Sequence, residues 1–180
     1  MPTTRYVALL RGINVGGHKK IKMAELRELF AALGFDNVKT VLASGNVAWD
    51  AEGPDPAALR DAIAAGIEAT FGFPVSVIVL PRAQVESLVE SDPFAGVPVT
   101  ENTRLYVTFL PEPVATTLAI PYHSPDNAFT ILRATETEVY SVLTLADNAR
   151  PVDAMDILED EYGPQITTRN WNTVLKIASL

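Results

Sequence analysis

The sequence predicts an α+β protein built from two small subdomains. Its first half alternates β-type runs with amphipathic helical stripes in the order β-α-β-β-α-β, the order of a ferredoxin-like fold. Its second half shows a related order, β-α-β-β-α, closed by a C-terminal helix. The stretch 92–98 is rich in proline and glycine and is the best linker candidate, so we expect subdomains at 1–92 and 93–180.

The elements of the first half follow from the spacing of apolar residues. Residues 5–10 form a short apolar run typical of a buried strand, and apolar residues recur every three or four positions over 23–33, which predicts a helix. Asp55 followed by Pro56 predicts the start of a second helix, which Gly72 ends. The remaining predicted elements are strands 38–43 and 47–49, which form a hairpin, and strand 75–80.

The second half is predicted by the same reasoning. A short helix over 81–90 precedes the linker, and either Thr167 or Thr168 can cap the last helix. The predicted elements after the linker are strand 105–110, a short helix at 113–118, strands 129–133 and 138–144, and helices around 153–162 and 170–178.

Composition excludes several functional classes. The chain has no cysteine, so it can form no disulfide, thiolate nucleophile or zinc–thiolate site. His18 and His123 lack neighbours at metal-ligand spacing, so we expect neither a metal site nor another cofactor. No apolar run approaches the length needed to span a bilayer, and the N-terminal apolar stretch is too short for a signal peptide. We therefore expect a cytoplasmic protein without a membrane partner.

Charge is distributed unevenly along the chain. The formal net charge of −8 argues against a general nucleic-acid binder. Residues 1–24 hold five basic residues and 163–180 hold two, both without an acid, whereas 25–162 hold seven basic and 22 acidic residues. Such asymmetry favours an anionic partner for the basic ends, although the ends could also simply neutralise the acidic body.

The loop after the first strand is the leading candidate for a ligand site. Residues 11–20 read Arg-Gly-Ile-Asn-Val-Gly-Gly-His-Lys-Lys, and glycines of this kind let backbone N–H groups converge on an anion. The loop matches neither a Walker A motif nor a dinucleotide-binding fingerprint. Lys19, Lys20 and Lys22 crowd the expected start of a helix, where basic residues oppose the helix dipole. The alternative is an ordinary solvated loop.

Two further segments are polar enough to face a ligand. Ser44-Gly45-Asn46 lies at the tip of the predicted hairpin, and it is either a ligand-facing turn or a plain β-turn. Residues 167–173 read Thr-Thr-Arg-Asn-Trp-Asn-Thr and open the last predicted helix. They form either a second anion site beside Arg169 or a helix cap in which Trp171 packs in the core.

These segments resemble a known family. The matching motifs lie at 9–17, 23–26, 33–35, 38–40, 44–47 and 168–174, and they resemble the bacterial family called domain of unknown function 1697. The resemblance spans the chain from its first strand to its last helix and implies an α+β architecture of two small subdomains. It implies no reaction, cofactor or catalytic residue. Where the family often has a polar residue such as glutamine before Ser-Gly-Asn, this chain has Ala43.

The leading hypothesis is that the three segments converge on one site for a small phosphorylated or carboxylated molecule. Such a site of hydrogen-bond donors would suit acyl or phosphoryl transfer and suits binding without catalysis equally well, so no catalytic residue is assigned. Two alternatives stay open: a nucleic-acid-binding patch at the basic chain ends, and structural motifs that only pin subdomains or subunits together. The residues assigned to the site are Arg11, Asn14, Gly16, Gly17, Lys19, Lys20, Ser44, Gly45, Asn46, Arg169, Asn170 and Asn172.

Overall fold

A computed structural model describes residues 2–53, 55–145 and 154–180. The chain divides into two compact units, Met1–Leu88 together with Leu175–Leu180, and Val89–Val174. Each unit contains one antiparallel sheet and helices. The predicted α+β class, with two sheet-containing subdomains and a C-terminal helix, is thus confirmed. The domain division between residues 92 and 93 stays a prediction.

The first unit has the predicted element order. Its elements are β1 (Thr3–Leu10), α1 (Met23–Ala32), β2 (Asp36–Val41), β3 (Asn46–Glu52), α2 (Pro56–Phe71) and β4 (Val77–Pro81). The sheet has the strand order β2-β3-β1-β4, with every neighbouring pair antiparallel, so β1 lies inside the sheet. The assignment of this unit to the ferredoxin-like fold stays a prediction.

One core holds this unit together. Alternate residues of β1 share one buried cluster with residues of both helices, so the helices pack on the same face of the sheet. Helix α2 begins and ends as predicted, since the Asp55 side chain accepts a hydrogen bond from Ala57 N and Gly72 takes a left-handed conformation at the C-cap. The core residues from these elements are Tyr6, Ala8 and Leu10 of β1, Leu26 and Phe30 of α1, Val47 and Trp49 of β3, and Ile63 and Ile67 of α2.

The second unit is built on a five-stranded sheet. Its elements are β5 (Thr103–Phe109), β6 (Tyr122–His123), β7 (Phe129–Ala134), β8 (Glu138–Thr144), α4 (Ala154–Tyr162) and β9 (Thr167–Asn170). The strand order is β6-β7-β8-β5-β9, again with every neighbouring pair antiparallel. Two further helices, α3 (Arg82–Glu90) and α5 (Trp171–Ala178), are each divided between the two units. Residue 153, where the helix predicted around 153–162 starts, lies outside the described residues.

The predicted helix at 113–118 is wrong. This segment is irregular, because most of its hydrogen bonds go to partners outside it and the one internal bond, from Leu118 N to Thr116 Oγ1, is not a helical one. The backbone N–H of Val114 donates to Glu136 O at 2.9 Å. The backbone N–H of Thr117 donates to the Glu161 carboxylate, as do the hydroxyls of Thr116 and Thr117. A carboxylate on α4 therefore replaces the internal bonds that a helix would need.

The predicted capping of the last helix by Thr167 or Thr168 is also wrong. Both threonines lie on strand β9, which pairs antiparallel with β5 so that Thr167 lies opposite Phe109. β-Branched side chains favour such a position. Helix α5 begins only at Trp171, and the Asn170 Oδ1 atom accepts hydrogen bonds from both the backbone N–H and the hydroxyl of Thr173, each at 2.9 Å. Asn170 is therefore the N-cap.

Candidate functional site

The tip of the loop between β1 and α1 is a tight turn. Val15 and His18 form a bridge in which His18 N donates to Val15 O at 3.1 Å. The two residues between them, Gly16 and Gly17, both have positive φ, at 62° and 77°. Such a turn needs two residues that accept positive φ, and glycine does so without steric cost. With the described residues, the backbone N–H groups of these two glycines make no hydrogen bond.

Asn14 connects this loop to the neighbouring hairpin. Its Nδ2 group donates to Ile21 O at 3.0 Å and to Ala43 O at 2.7 Å, and its Oδ1 atom accepts from Ile21 N at 2.9 Å. Its backbone has a φ of 57°, a conformation that asparagine tolerates better than most residues. Both N–H groups of the side chain are used inside the protein, which gives Asn14 a structural role.

The Ser44-Gly45-Asn46 segment closes the predicted hairpin between β2 and β3. Asn46 is fully buried as the first residue of β3, and its Nδ2 group donates to Val41 O at 2.8 Å and to Ser44 Oγ at 3.1 Å. Ser44 itself is exposed. Gly45 has a φ of 88°, and its backbone O accepts from Leu10 N at 2.9 Å. The structure therefore brings the loop and the turn together within the first unit.

An open cavity of about 370 Å³ lies beside the loop, at the start of α1. With the described residues, the exposed ammonium groups of Lys20 and Lys22 make no hydrogen bond or ion pair. Lys22 occupies the N-cap position of α1 and provides no side-chain cap, so the first N–H groups of this helix are not bonded by a capping side chain. The cavity is lined by Asn14, Gly17, Lys20, Ile21, Lys22 and Glu25.

Two basic residues assigned to the site from the sequence, Lys19 and Arg11, do not line this cavity. The Lys19 ammonium group donates to Pro74 O at 3.0 Å, so it ties the loop to the segment before β4. Arg11 is half-buried, and its backbone N–H donates to Ser76 O at 3.0 Å. Lys22 and Glu25, in contrast, line the cavity but are missing from the site predicted from the sequence. The lysine cluster before the helix is the signal that could have identified Lys22.

A second cavity of about 370 Å³ in the same unit has the opposite character. Its lining includes the carboxylates of Asp36, Asp50 and Glu52. Asp50 accepts from Asn37 Nδ2 at 2.7 Å and from Arg5 Nη1 at 2.8 Å. The bond from Asn37 is the largest influence and, with Arg5, holds the pKa of Asp50 below its usual value, so the carboxyl stays ionised. This cavity therefore disfavours anions.

The third predicted segment belongs to the second unit. Arg169 lies on β9 with 9% of its surface exposed, and burial lowers its pKa to about 10. It therefore remains charged at neutral pH. Asn170 caps α5, Asn172 is exposed, and the Trp171 ring meets Phe94 edge to face with centroids 5.1 Å apart. Because this segment and the loop belong to different units, their convergence on one site stays a prediction.

Two classes of feature are absent from the described part of the chain. Over 2–53, 55–145 and 154–180, no group of three or more histidine, aspartate or glutamate side chains is placed to hold a metal ion. Within the same ranges no helix is long and apolar enough to cross a membrane.

Comparison with known proteins identifies a family and a fold. A family model described as protein of unknown function (DUF1697) matches residues 3–140. No curated protein matches the chain. A solved structure of a conserved bacterial protein from Streptococcus pneumoniae is similar over 99% of this chain and 98% of its own, with a TM-score of 0.72 and 21% sequence identity. At that identity the similarity shows the fold alone.

Proposed function

This chain belongs to the protein family of unknown function DUF1697, and we propose that it binds a small phosphorylated or carboxylated molecule. The proposed site is the cavity beside the loop between β1 and α1. One observation carries the proposal: two lysines, Lys20 and Lys22, line a cavity of about 370 Å³ at the start of a helix. Neither ammonium has a partner among the described residues.

The electrostatics of the cavity favour an anion. The lining contains two basic residues, Lys20 and Lys22, and one acidic residue, Glu25, so its formal charge is net positive. The start of α1 adds the positive end of a helix dipole, and basic residues at such a position are unfavourable unless an anion compensates them. Gly16 and Gly17 are exposed, and their N–H groups, which make no hydrogen bond with the described residues, add further donors on the same loop.

The size and surroundings of the cavity favour a small molecule over a polymer. Its volume lies near the lower end of the range of about 300–1,000 Å³ that is typical of small-molecule pockets. The rest of the chain is strongly acidic, which repels an extended polyanion such as nucleic acid. The proposal concerns binding and assigns no reaction. A cytoplasmic location would suit this cysteine-free chain and is part of the proposal.

A second candidate function is structural. The side chain of Asn14 bonds to Ile21 O, Ile21 N and Ala43 O, which is the behaviour expected of a motif that only holds segments of the protein together. If this role is the whole function of the loop, the lysines are not required and no anion binds.

Titration of the 15N-labelled protein with inorganic phosphate, and separately with acetate, tests the proposal. We expect amide shifts at Gly17, Lys20 and Lys22, and an affinity about three- to tenfold weaker in Lys20→Ala and in Lys22→Ala, since an exposed charge contributes about 0.5–1.5 kcal/mol. Lys39→Ala is the matched control, because Lys39 is exposed on β2 and outside the cavity lining. Shifts absent at these amides, or equal losses in all three variants, would contradict the proposal.

A further inference from the structure

We infer that the 42–46 turn is the positioning element of the loop between β1 and α1, and that it acts on the cavity through Asn14. The turn then serves the anion site without contacting the ligand, and Asn14 is a positioning residue rather than a ligand-binding one. The inference rests on the proposed function for its ligand readout, and on the geometry of the loop for the rest.

The Asn14 side chain holds the backbone of Ile21, the residue between Lys20 and Lys22. Both backbone groups of Ile21 are bonded to the Asn14 side chain, N–H to Oδ1 at 2.9 Å and C=O to Nδ2 at 3.0 Å. Ile21 is buried and lines the cavity, and Lys20 and Lys22 flank it. The Asn14 amide therefore helps to fix the directions in which both lysine side chains leave the backbone, together with the bond from Leu26 N to Lys22 O.

The 42–46 turn holds the Asn14 side chain in place. The Nδ2 group of Asn14 donates a hydrogen bond to Ala43 O at 2.7 Å. Gly45 lies directly against the loop and the end of β1, since a Cβ atom there would be 2.7 Å from Ile13 Cδ1 and 2.9 Å from Leu10 Cβ. A side chain at 45 would thus force the two segments apart.

The turn has its own support. Gly45 N donates to Leu42 O at 3.3 Å, and the buried Asn46 amide donates to Val41 O and to Ser44 Oγ. The three residues Ser44, Gly45 and Asn46 therefore have a shared role, which is to present Ala43 O to Asn14 and to allow close approach of Ile13. A chain of contacts then runs from the turn to Asn14, to Ile21 and to the cavity lysines.

Deletion of the Asn14 side chain tests whether its hydrogen bonds to the Ile21 backbone position the loop. Asn14→Gly keeps a residue that accepts a φ of 57° and removes every side-chain bond. We expect phosphate affinity to fall about tenfold or more and the Ile21 amide to exchange its hydrogen about tenfold faster or more. Asn127→Gly is the matched control, with a φ of 58° and no side-chain hydrogen bond to a described residue, and it should change neither quantity.

A second pair of variants tests the turn. Gly45→Ala should weaken phosphate affinity about tenfold or more and speed exchange of the Ile21 amide, because the added Cβ displaces the loop. Gly34→Ala controls for backbone strain: Gly34 has the same φ of 88°, but a Cβ there meets nothing within 4 Å. It should lower stability and leave affinity unchanged. Adding Ile13→Val to Gly45→Ala removes the closest clash and should restore part of the affinity.

The two readouts separate this inference from the proposed function. If the unaltered protein binds no phosphate, the proposed function fails. The hydrogen-exchange rate of the Ile21 amide still decides whether the turn positions the loop, since that rate should rise in Asn14→Gly and in Gly45→Ala. If phosphate binds and both variants keep full affinity while losing only stability, the positioning role is overturned and the proposed function stands. The positioning role is likewise overturned if Gly34→Ala weakens affinity as much as Gly45→Ala.

Discussion

Single side chains carry much of the long-range organisation of this protein, and Glu161 shows how. Its carboxylate on α4 accepts from the backbone N–H of Thr117 and from the hydroxyls of Thr116 and Thr117, about 44 residues earlier in the chain. Burial alone would raise the pKa of Glu161, but these bonds outweigh burial and lower the pKa below its usual value of 4.5. The ionised carboxylate thus fixes an otherwise irregular segment.

Replacement of Glu161 by glutamine should therefore lower stability at neutral pH. Because the folded pKa lies below the unfolded one, the ionised form stabilises the protein fully above the unfolded pKa, and this stabilisation is lost as pH falls through the folded pKa. We expect Glu161→Gln to cost about 1 kcal/mol of unfolding free energy at pH 7, after allowance for solvent screening of this partly exposed group. The cost should shrink below about pH 4.5.

Urea denaturation of both proteins at several pH values measures this difference. Asp160→Asn is the control, because Asp160 is exposed and makes no hydrogen bond with the described residues, so its removal should change stability by less than about 0.5 kcal/mol. An identical loss in both variants, or a loss in Glu161→Gln that grows with acidity, would show that the carboxylate does not hold the segment.

At the level of elements, the start of α5 shows how one residue type can suggest two roles. The polarity of Asn170 suggests a ligand site, whereas the structure makes this residue the N-cap of α5 through two bonds to Thr173. We expect Asn170→Ala to lower the unfolding free energy by about 1 kcal/mol and Asn170→Asp to cost much less, since aspartate caps equally well. Thermal or urea unfolding measures both.

Asn172→Ala provides the comparison for this cap. Asn172 is exposed in the first turn of the same helix and makes no hydrogen bond with the described residues, so its loss should change stability by less than about 0.5 kcal/mol. Equal effects of Asn170→Ala and Asn172→Ala would mean that the cap contributes nothing to the stability of α5.

The elements that depend on local chemistry were predictable, and those that depend on distant partners were not. Helix α2 follows from Asp55 and Pro56 at its start and Gly72 at its end, which are local signals. The segment at 113–118 escapes prediction because Glu161 lies far away in sequence. Strand β9 could not be predicted from the sequence, because its pairing with β5 spans about 60 residues and its threonines suit a helix cap as well as a strand.

The candidate site was predictable to a similar extent. The charge pattern and the glycines identified the loop, whereas the positive φ of Asn14 and Lys19 was not predicted from the sequence. The function of Asn14 and Asn46 was not predictable, since an asparagine that binds a ligand and one that bonds to backbone groups look alike in sequence. Only the bonds to Ile21, Ala43 and Val41 distinguish the two.

At the scale of the whole molecule, a basic loop lies on a strongly acidic protein. The net charge is −8, although residues 1–24 contain five basic residues and no acid. An anion that approaches the cavity is attracted by nearby lysines and repelled by more distant carboxylates. Salt screens interactions beyond about 8–10 Å most strongly at physiological ionic strength, so it weakens the distant repulsion more than the attraction at contact.

Phosphate binding should therefore depend only weakly on salt. We expect the dissociation constant for inorganic phosphate to change less than about threefold between roughly 20 and 200 mM sodium chloride, because the two effects of screening oppose each other. Titration at constant pH measures it, with binding of a single-stranded oligonucleotide as the comparison. A contact with several backbone phosphates releases counterions, and its affinity falls by about two orders of magnitude or more over such a range. Oligonucleotide binding with that steep dependence, alongside weak or absent phosphate binding, would assign the basic loop to nucleic acid instead of a small anion.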